Sequence, residues 1–443
     1  MRSSGDKPHE SNSLSASFDG EYPLPGWKAL QDHLTGRRDA FGAHRYSTPG
    51  PATAVESLHL RDSPPIDQYI GEFWTARQRQ AHSLHEISYR ACFKAQLPSF
   101  FIRLLTREGD IVFDPFSGRG TTPIEAALMG RNVIANDINP VSAIFTRPRL
   151  FVPSLDAVRE RLAAIPLDFS QRADIDLSMF YHPHTEAELV SLRNHLIRRQ
   201  ASGREDAVDA WIRMVATNRL TGHSPGFFSV YTLPPNQAVS PRRQLEINRQ
   251  RGQTPQYKDT QERIRKKSAS LLRDLQAKER ERLAATGENS RLYERDARSM
   301  PDIASESVQL TVTSPPFLDV VDYERDNWLR AWFNNLDADR GKDASASNAS
   351  LDGWCRVMQE VFYELYRVTR PGGWIAFEVG EVRKGKVHLE EHVVRLGRTA
   401  GLACHGILLN RQRFTKTANI WGITNNTRGT NSNRVVLLHK PEP

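Results

Sequence analysis

Hydrophobic residues are concentrated in two stretches of the chain, and each stretch alternates between strand-like and helix-like patterns. In the first stretch, a short apolar run precedes a glycine-rich turn, a helix and a second apolar run. The second stretch repeats this alternation and finishes on two apolar runs around a polar loop. Strands are predicted at 109–114, 131–137, 291–296, 308–313 and 371–380, with a terminal pair at 406–413 and 434–439. The pattern predicts an α/β fold, a doubly wound Rossmann-like sheet that ends in an antiparallel strand pair.

Changes of composition divide the chain into four parts. Residues 1–60 are rich in Ser, Gly and Pro and are expected to form a flexible extension. Residues 61–150 and 289–443 are assigned to the two parts of the sheet domain. Helical spacing of apolar residues over 66–105 predicts helices ahead of the first strand. Residues 151–288 form a large, partly helical insertion between the two parts.

Two helices of the insertion can be placed from local signals. Thr185 and Glu188 have the spacing of a capping box, which predicts that a helix starts there and continues to about Arg199. Residues 260–284 are predicted to form one basic helix. The segment 218–240 is aromatic and polar without periodicity, so a loop is expected.

Most of the net charge of the chain lies in the insertion. The 443 residues carry a net charge of +8, and residues 242–280 contain twelve Lys and Arg against five acids. A local excess of this size is expected where a protein contacts a phosphate backbone, although a solvated helical face gives the same pattern. Candidate phosphate contacts are Arg242, Arg243, Lys266 and Lys267, and candidate base-reading residues are Asn218, Arg219, Asn236, Gln237, Arg242 and Arg243.

Composition excludes several other classes of protein. No apolar run approaches the roughly 18 residues of a membrane span, so a membrane-embedded protein is excluded. The first 50 residues lack the pattern of a secretory signal, and a cytoplasmic location is expected. Three separated cysteines support neither a disulfide framework nor a zinc ribbon. The pairs His82 and His85, and His182 and His184, lack a third ligand, so capping or surface roles are expected and no metal site is assigned.

A glycine-rich turn follows the first predicted strand. It reads Asp114-Pro-Phe-Ser-Gly-Arg-Gly-Thr-Thr122, without the Gly-Lys-Ser/Thr of a P-loop and without the G-x-G-x-x-G of a dinucleotide site. Asp137 ends the next strand, at the position that binds ribose hydroxyls in doubly wound sheets. The two features together favour a nucleoside cofactor without a pyrophosphate, whereas the turn alone would also be typical of a tight strand-to-helix connection.

The second motif, Thr313-Ser-Pro-Pro-Phe317, directly follows the strand at 308–313. Successive prolines fix φ and lack N–H groups, so the carbonyl oxygens there point away from the sheet. Ser314 Oγ and the Pro315 carbonyl can accept the two hydrogens of an exocyclic amine, while the ring of Phe317 stacks on a flat heterocycle. A strand that ends at prolines before a loop gives the same tripeptide without chemistry, and Ser63-Pro-Pro65, which lacks the strand and the aromatic residue, is interpreted in that way.

Together, the two motifs resemble those of the DNA amino-methyltransferases, which methylate cytosine N4 or adenine N6. The resemblance covers about 66–150 and 290–443 and implies a methyltransferase sheet, S-adenosylmethionine as cofactor and double-stranded DNA as substrate. It implies these cofactor-binding residues: Phe93, Asp114, Phe116, Gly118, Gly120, Thr121, Asp137 and Asp296. It implies these catalytic residues: Ser314, Pro315, Pro316 and Phe317. The insertion precedes Asp296 instead of following it, which departs from the family order.

Serine at the first catalytic position is more common in the cytosine-N4 branch, so the sequence predicts a site-specific cytosine-N4 methyltransferase acting on a flipped-out base. A cognate restriction endonuclease is a possible partner within a bacterial or archaeal cell. A cytosine-C5 mechanism is not expected, because no cysteine has the setting of its nucleophile. Adenine-N6 transfer to DNA, transfer to an RNA amine, methylation of a small molecule, and a nucleic-acid-binding protein with an inactive fold remain open alternatives.

Overall fold

The computed structural model describes residues 26–36, 51–60, 64–74, 81–89, 92–233, 238–316, 323–337, 350–380, 387–411 and 432–443. Within these ranges nine strands form one mixed sheet, in the order β1-β2-β8-β9-β7-β6-β3-β4-β5. The strands are β1 (Ala54–Leu58), β2 (Ile66–Gly71), β3 (Ile111–Asp114), β4 (Asn132–Asn136), β5 (Arg291–Tyr293), β6 (Val308–Thr313), β7 (Thr369–Val379), β8 (Ala403–Arg411) and β9 (Ser432–His439).

Five neighbouring strands, β5, β4, β3, β6 and β7, are all parallel. β9 is antiparallel to both β7 and β8, so it reverses direction between two strands. This arrangement confirms the predicted fold class: an α/β sheet of Rossmann type with a terminal antiparallel pair. The strand order also reverses at β3, because β4 lies on one side of it and β6 on the other. In open α/β sheets ligands bind outside the carboxyl ends of the strands at such a switch point.

The sheet separates two hydrophobic clusters. Successive side chains of a strand point to opposite faces, so Val112 of β3 belongs to one cluster and the adjacent Phe113 to the other. The helices are α1 (Trp27–Leu34), α2 (Gln96–Leu105), α3 (Thr121–Leu128), α4 (Val141–Thr146), α5 (Leu155–Ala164), α6 (Pro183–Ala201), α7 (Ala207–Arg219), α8 (Pro241–Arg251), α9 (Thr260–Leu272), α10 (Ala277–Asn289), α11 (Tyr323–Asn334), α12 (Leu351–Val368) and α13 (Leu389–Thr399).

The helices of the predicted insertion share the first cluster with the sheet. Trp211 of α7 and Leu271 of α9 are fully buried in it, together with Val112 and Leu310 of the central strands. Trp211 Nε1 also donates to Ser268 Oγ at 3.0 Å, which joins α7 to α9. Residues 151–288 are therefore built onto one face of the sheet and contribute to its core.

Two expectations for the N-terminal third of the chain are wrong. The flexible extension predicted for 1–60 does not hold for 26–36, where α1 buries Leu30 and Leu34 in the first cluster, nor for β1 at 54–58. The helix predicted around Tyr69 is strand β2, which pairs in parallel with β8. Pairing and burial at the sheet edge override the helical spacing of its apolar residues.

Two helix boundaries in the insertion also differ from the prediction. The N-cap of α6 is His182, whose ring accepts from His184 N, so Thr185 lies inside the helix. There Thr185 accepts from Lys258 N at 2.8 Å. The basic helix is two helices, α9 and α10, because Gln276 and Glu279 form a capping box that starts a new one. In the part of the chain that the structure describes, no helix is both long enough and apolar enough to span a bilayer.

Candidate active site

The two motifs meet because their strands are parallel neighbours. β3 pairs with β6 through Val112 with Leu310 and Phe113 with Thr311. Parallel strands end at the same edge of a sheet, so Asp114 and Thr313 lie side by side there. Thr313 Oγ1 donates to Asp114 Oδ1 at 2.6 Å. This hydrogen bond joins the glycine-rich turn to the start of the Ser-Pro-Pro segment.

Asp114 is almost completely buried, with 1 % of its surface exposed. Its Oδ1 also accepts from Phe116 N at 3.1 Å, which fixes the first residues of the turn. Burial disfavours the charged carboxylate and raises the pKa of Asp114 to about 7, although the hydrogen bonds from Thr313 and Phe116 oppose the shift. Thr122 Oγ1 donates to the carbonyl of Val312 at 3.0 Å, so α3 is also tied to β6.

The turn needs glycine at two positions. Gly118 and Gly120 have φ of +51° and +77°, in the left-handed region. A Cβ on Gly120 would lie 2.3 Å from Thr146 Oγ1, so Thr146 or the turn would have to shift. The chain passes directly from the left-handed Gly120 into α3, whose first residue is Thr121. Thr121 is buried. Ser117 N donates to the Asn136 carbonyl and Gly120 N to the Ser117 carbonyl, which fixes the backbone of the turn at the sheet edge.

Asp137 follows β4 and closes the other side of the turn. Its Oδ2 accepts from Gly118 N at 2.7 Å, and its Oδ1 accepts from Asn139 N at 2.9 Å. The side chain is half-buried, and the partial loss of water around it raises its pKa to about 6. Each carboxylate oxygen has two lone pairs, so Asp137 retains acceptor capacity for ribose hydroxyls. The predicted ribose-binding acid thus lies next to the predicted glycine turn.

Asn136 was not among the predicted site residues, yet it holds the turn in place. Its Nδ2 donates to the Pro115 carbonyl at 3.2 Å and to the Arg295 carbonyl at 3.0 Å, and its Oδ1 accepts from Arg295 N at 3.0 Å. The signal in the sequence was an amide side chain at the end of an apolar strand, immediately before Asp137.

Two guanidinium groups lie beside the turn, and both donate to backbone carbonyls; Arg149 binds the carbonyls of Leu84 and Arg119. The guanidinium of Arg119, the cation within the turn, donates to the carbonyls of His85 and Ile87 at 3.2 and 2.7 Å. The positive charge of Arg119 therefore lies against the backbone of His85 and Ile87. Carboxylates of Asp114 and Asp137 remain at the strand ends. These residues fit a sulfonium nucleoside, whose ribose needs acceptors and whose charge needs anions.

The Ser-Pro-Pro segment is held by the second face of the sheet. Trp354 of α12 is fully buried and donates from Nε1 to the Pro316 carbonyl at 3.0 Å. Pro315 is buried and Ser314 half-buried. Ser314 Oγ–H donates to the carboxylate of Glu378, a residue of β7 that the sequence reasoning missed. Phe317 lies outside the described residues.

Three further cofactor residues were predicted, namely Phe93, Phe116 and Asp296. Phe93 and Phe116 are half-buried, and they pack on the first and the second hydrophobic cluster respectively. Asp296 follows β5, beside the Arg295 backbone that Asn136 binds. Both of its carboxylate oxygens accept from Arg298, at 2.6–3.0 Å. Contact between Asp296 and an adenine amine stays a prediction.

The four predicted phosphate contacts differ in exposure. The side chains of Arg242, Arg243 and Lys266 are 93 %, 53 % and 70 % exposed, on α8 and α9. The Lys267 side chain is only 11 % exposed and pairs with Glu86 at 3.5 Å. Burial lowers the pKa of Lys267 to about 8. Lys267 thus faces the protein, whereas the other three face solvent.

Asn218 does not have the exposure that a base-reading residue needs. It is 2 % exposed, donates to the Ser88 carbonyl at 3.0 Å, and accepts from Arg219 at 2.7 Å. Asn236 and Gln237 lie outside the described residues. Two predicted histidine roles are confirmed: His82 and His182 each accept a backbone N–H at the start of a helical segment. Among the described residues no group of three metal-ligating side chains occurs.

Comparisons with known proteins match the first part of the site. The family model for N6/N4 DNA methylases matches residues 44–143, which include the glycine turn and Asp137. The type II methyltransferase M.MjaII of Methanocaldococcus jannaschii is 35 % identical over 74 residues, 17 % of this chain and 14 % of that protein. The type II methyltransferase M.BsoBI of Geobacillus stearothermophilus is 28 % identical over 100 residues, 22 % of this chain and 20 % of that protein.

Solved structures were also compared. A SAM-dependent methyltransferase from Methanosarcina mazei superposes with a TM-score of 0.30 at 10 % identity, over 77 % of this chain and 97 % of that one. A proposed DNA modification methylase from Thermus thermophilus, complexed with S-adenosyl-L-methionine, gives a TM-score of 0.21 at 18 % identity, over 33 % and 54 %. The fold assignment therefore rests on the strand order, and the likeness to DNA methylases rests on sequence. By sequence, residues 44–143 are similar to the N6/N4 DNA methylases, and shorter stretches of the chain are similar to two type II methyltransferases.

Proposed function

We propose that this protein transfers a methyl group from S-adenosylmethionine to the exocyclic amine of a DNA base, with cytosine N4 as the preferred acceptor. The observation that carries the proposal is the 2.6 Å hydrogen bond between Thr313 and Asp114. It joins the proposed nucleoside-binding turn to the proposed amine-binding segment at one edge of the sheet. A methyl donor and an acceptor held by these two motifs are brought together without any covalent enzyme intermediate.

S-adenosylmethionine, the cofactor predicted from the sequence, is supported by the match of residues 44–143 to the N6/N4 DNA methylases. When bound, it supplies an electrophilic methyl group on a cationic sulfur. Asp137 would accept the ribose hydroxyls, the backbone of 116–120 would lie against the nucleoside, and the carboxylate of Asp114 would stabilise the positive charge. Asp296 and Phe93 complete the proposed binding residues.

The acceptor amine is oriented by the Ser-Pro-Pro segment. Ser314 Oγ and the Pro315 carbonyl accept its two hydrogens, which favours a pyramidal nitrogen and makes its lone pair available. Trp354 holds the Pro316 carbonyl, so the segment keeps one orientation. Phe317 is proposed to stack on the base. Positioning of the amine against its electrophile supplies much of the acceleration.

The proposed substrate is double-stranded DNA with the target base extruded. An amine engaged in a base pair is not accessible to a site at a sheet edge, so the nucleotide has to leave the stack. The exposed cations Arg242, Arg243 and Lys266 are proposed to contact phosphates. The chain matches less than a quarter of the length of either curated relative. Both are named type II methyltransferases, and a partner restriction endonuclease is part of the proposal for this chain.

Product analysis tests the proposal directly. The protein is incubated with S-adenosylmethionine labelled in the methyl group and unmethylated bacterial DNA, and the DNA is digested to nucleosides. We expect the label in N4-methylcytosine. Label in N6-methyladenine would keep the chemistry and correct the base. Label in RNA but not in DNA would overturn the substrate, and no label in any nucleic acid would overturn the function.

A matched pair of variants identifies the catalytic segment in the same assay. Ser314→Ala removes the hydroxyl that accepts the amine hydrogen, and we expect incorporation to fall at least about 100-fold. Ser63→Ala changes the serine of the second Ser-Pro-Pro tripeptide and is expected to leave incorporation unchanged. Equal activity of both variants and the unmodified protein would contradict the assignment of Ser314.

A further inference from the structure

A buried carboxylate lies directly behind the proposed catalytic serine. Glu378 belongs to β7, the strand next to β6, and only 5 % of its surface is exposed. Its carboxylate accepts a hydrogen bond from Ser314 Oγ–H. It accepts a second from Asn433 Nδ2, at 2.7 Å, on the other neighbouring strand, β9. An acidic side chain in an otherwise apolar strand interior is costly, so its partners at this edge explain its presence.

The hydrogen bond from Ser314 to Glu378 determines which part of the hydroxyl faces the amine of the substrate base. With its hydrogen directed to Glu378, Ser314 Oγ presents lone pairs to the opposite side, where an amine hydrogen would be donated. Asn433 Nδ2 donates to Oε1 of Glu378 and fixes the orientation of the carboxylate. Glu378 and Asn433 together therefore set Ser314 as an acceptor.

Methylation of an exocyclic amine also creates a proton to be removed. The nitrogen gains a methyl group, becomes cationic and has to lose one of its two hydrogens. We infer that Glu378 is a positioning residue that takes up this proton through the hydroxyl of Ser314. The inference rests on the proposed function of the same site.

The proton transfer balances within the residues present. The N–H bond of the methylated amine breaks and its hydrogen bonds to Ser314 Oγ, while the original Ser314 O–H bond breaks and that hydrogen bonds to a carboxylate oxygen of Glu378. The amine becomes neutral, the serine is unchanged, and Glu378 becomes a neutral carboxylic acid. Burial raises the pKa of Glu378, which makes its carboxylate a better proton acceptor than an exposed one.

Other titratable groups near this edge are bound elsewhere. Arg434, which follows Asn433 on β9, pairs with Glu390 of α13 at 2.9 Å. Asp114 on β3 accepts from Thr313. The direct partners of Glu378 among the described residues are therefore a hydroxyl and an amide, neither of which titrates in the working range of the enzyme.

The test is single-turnover methylation of DNA at saturating S-adenosylmethionine, measured from pH 5.5 to pH 9. In the unmodified protein the rate constant should rise with pH and reach a plateau, because the acceptor is the ionised carboxylate. Glu378→Gln keeps the shape but cannot take the proton, so we expect a rate constant about 100-fold lower and no rise with pH. Glu378→Asp should retain the rise, and cofactor affinity should change less than twofold in both.

The activity of a double variant of Glu378 and Ser314 distinguishes proton uptake by Glu378 from a merely structural role. If the proton passes through the serine hydroxyl, Glu378→Gln added to Ser314→Ala costs no further activity. Glu364→Gln is the matched control, since Glu364 on α12 accepts from Arg367 and Met300 N away from the motif. It should keep the rate and the pH profile of the unmodified protein.

The outcomes are distinct. An unchanged rate and pH profile in Glu378→Gln, with an active unmodified protein, overturns the inference alone. Loss of activity that adds fully to that of Ser314→Ala overturns it as well. If Glu378→Gln does not fold, the pH profile of Glu378→Asp decides, and a profile that is flat with pH overturns the inference. No methylation by the unmodified protein overturns the proposed function itself.

Discussion

At the scale of single residues, the site depends on carboxylates kept in unfavourable surroundings. Asp137 has a pKa of about 6 because the protein around it excludes water. Its ionised form is the better acceptor of ribose hydroxyls, and two backbone N–H groups already stabilise that form. Partial burial destabilises the ionised carboxylate. A bound cationic ligand that donates hydroxyl hydrogens would stabilise it. Cofactor affinity should therefore depend on pH.

Asp137→Asn tests this dependence. In the unmodified protein the carboxylate takes up a proton as the pH falls through about 6, so affinity for S-adenosylmethionine should weaken below that pH, by up to about tenfold per pH unit. The variant should bind roughly 10- to 100-fold more weakly at pH 8, with a smaller pH dependence. Isothermal titration calorimetry from pH 5 to pH 8 measures both, with the exposed Asp156→Asn as control. Unchanged affinity in Asp137→Asn would contradict the ribose-binding role.

Gly120 can be compared with a glycine of similar backbone conformation. Gly120 and Gly109 have φ of +77° and +88°, but a Cβ would meet Thr146 Oγ1 only at Gly120 and nothing within 4 Å at Gly109. Gly109→Ala should therefore cost about 1–2 kcal/mol from backbone strain alone. Gly120→Ala should cost roughly 1–3 kcal/mol more from the collision. Urea unfolding gives both values, and equal costs would show that Thr146 moves aside.

At the scale of elements, the strand ends were predictable and several contacts between distant elements were not. The apolar runs that end at Asp114 and Thr313 predict where both motifs lie. An apolar run followed by glycine or proline is typical of a strand that ends in a turn. Glu378 was missed because the sequence does not reveal which side chain on β7 faces Ser314. β2 was missed because its apolar residues also fit a helix, and only its partner β8, more than 300 residues later, decides between them.

Helix α1 shows the same limit and gives a test. Leu30 and Leu34 are fully buried in the first cluster, and Gly26 N donates to the Leu104 carbonyl at 2.9 Å. Leu30→Ala should lower the free energy of unfolding by roughly 2–5 kcal/mol, because it leaves a cavity. Lys28→Ala, at an exposed position of the same helix, should change it by less than about 0.5 kcal/mol. Chemical denaturation of the full chain distinguishes them, and no effect of Leu30→Ala would restore the expectation of a flexible extension.

At the scale of the whole molecule, the distribution of exposed charge sets the interaction with DNA. The sequence could count the cations of residues 242–280, but it could not tell which of them face solvent. Lys267 follows Lys266 directly, yet one is 11 % exposed and the other 70 %. Adjacent residues of a helix point about a quarter-turn apart, and tertiary packing decides which of them is covered.

Salt dependence of DNA binding separates the two groups. Combined substitution of Arg242, Arg243 and Lys266 by alanine should weaken binding to all sequences and reduce the slope of log affinity against log salt by about one for each phosphate that the variant no longer neutralises. Lys267→Ala should leave the slope unchanged and lower stability, since it breaks the pair with Glu86. Arg370→Ala is the control, because Arg370 is exposed at the start of β7, the edge opposite Ser314. An unchanged slope in the triple variant would remove these residues from the DNA interface.

The strand order has a further consequence for how the chain reaches this structure. β3 lies at the centre of the parallel strands, but its partner β6 is made almost 200 residues after it. While the ribosome adds the intervening helices, one edge of β3 has no strand beside it, and open edges of this kind favour association between chains. The helices of 155–289 pack on one face of the sheet and supply no strand for that edge, so the edge stays open until β6 is made.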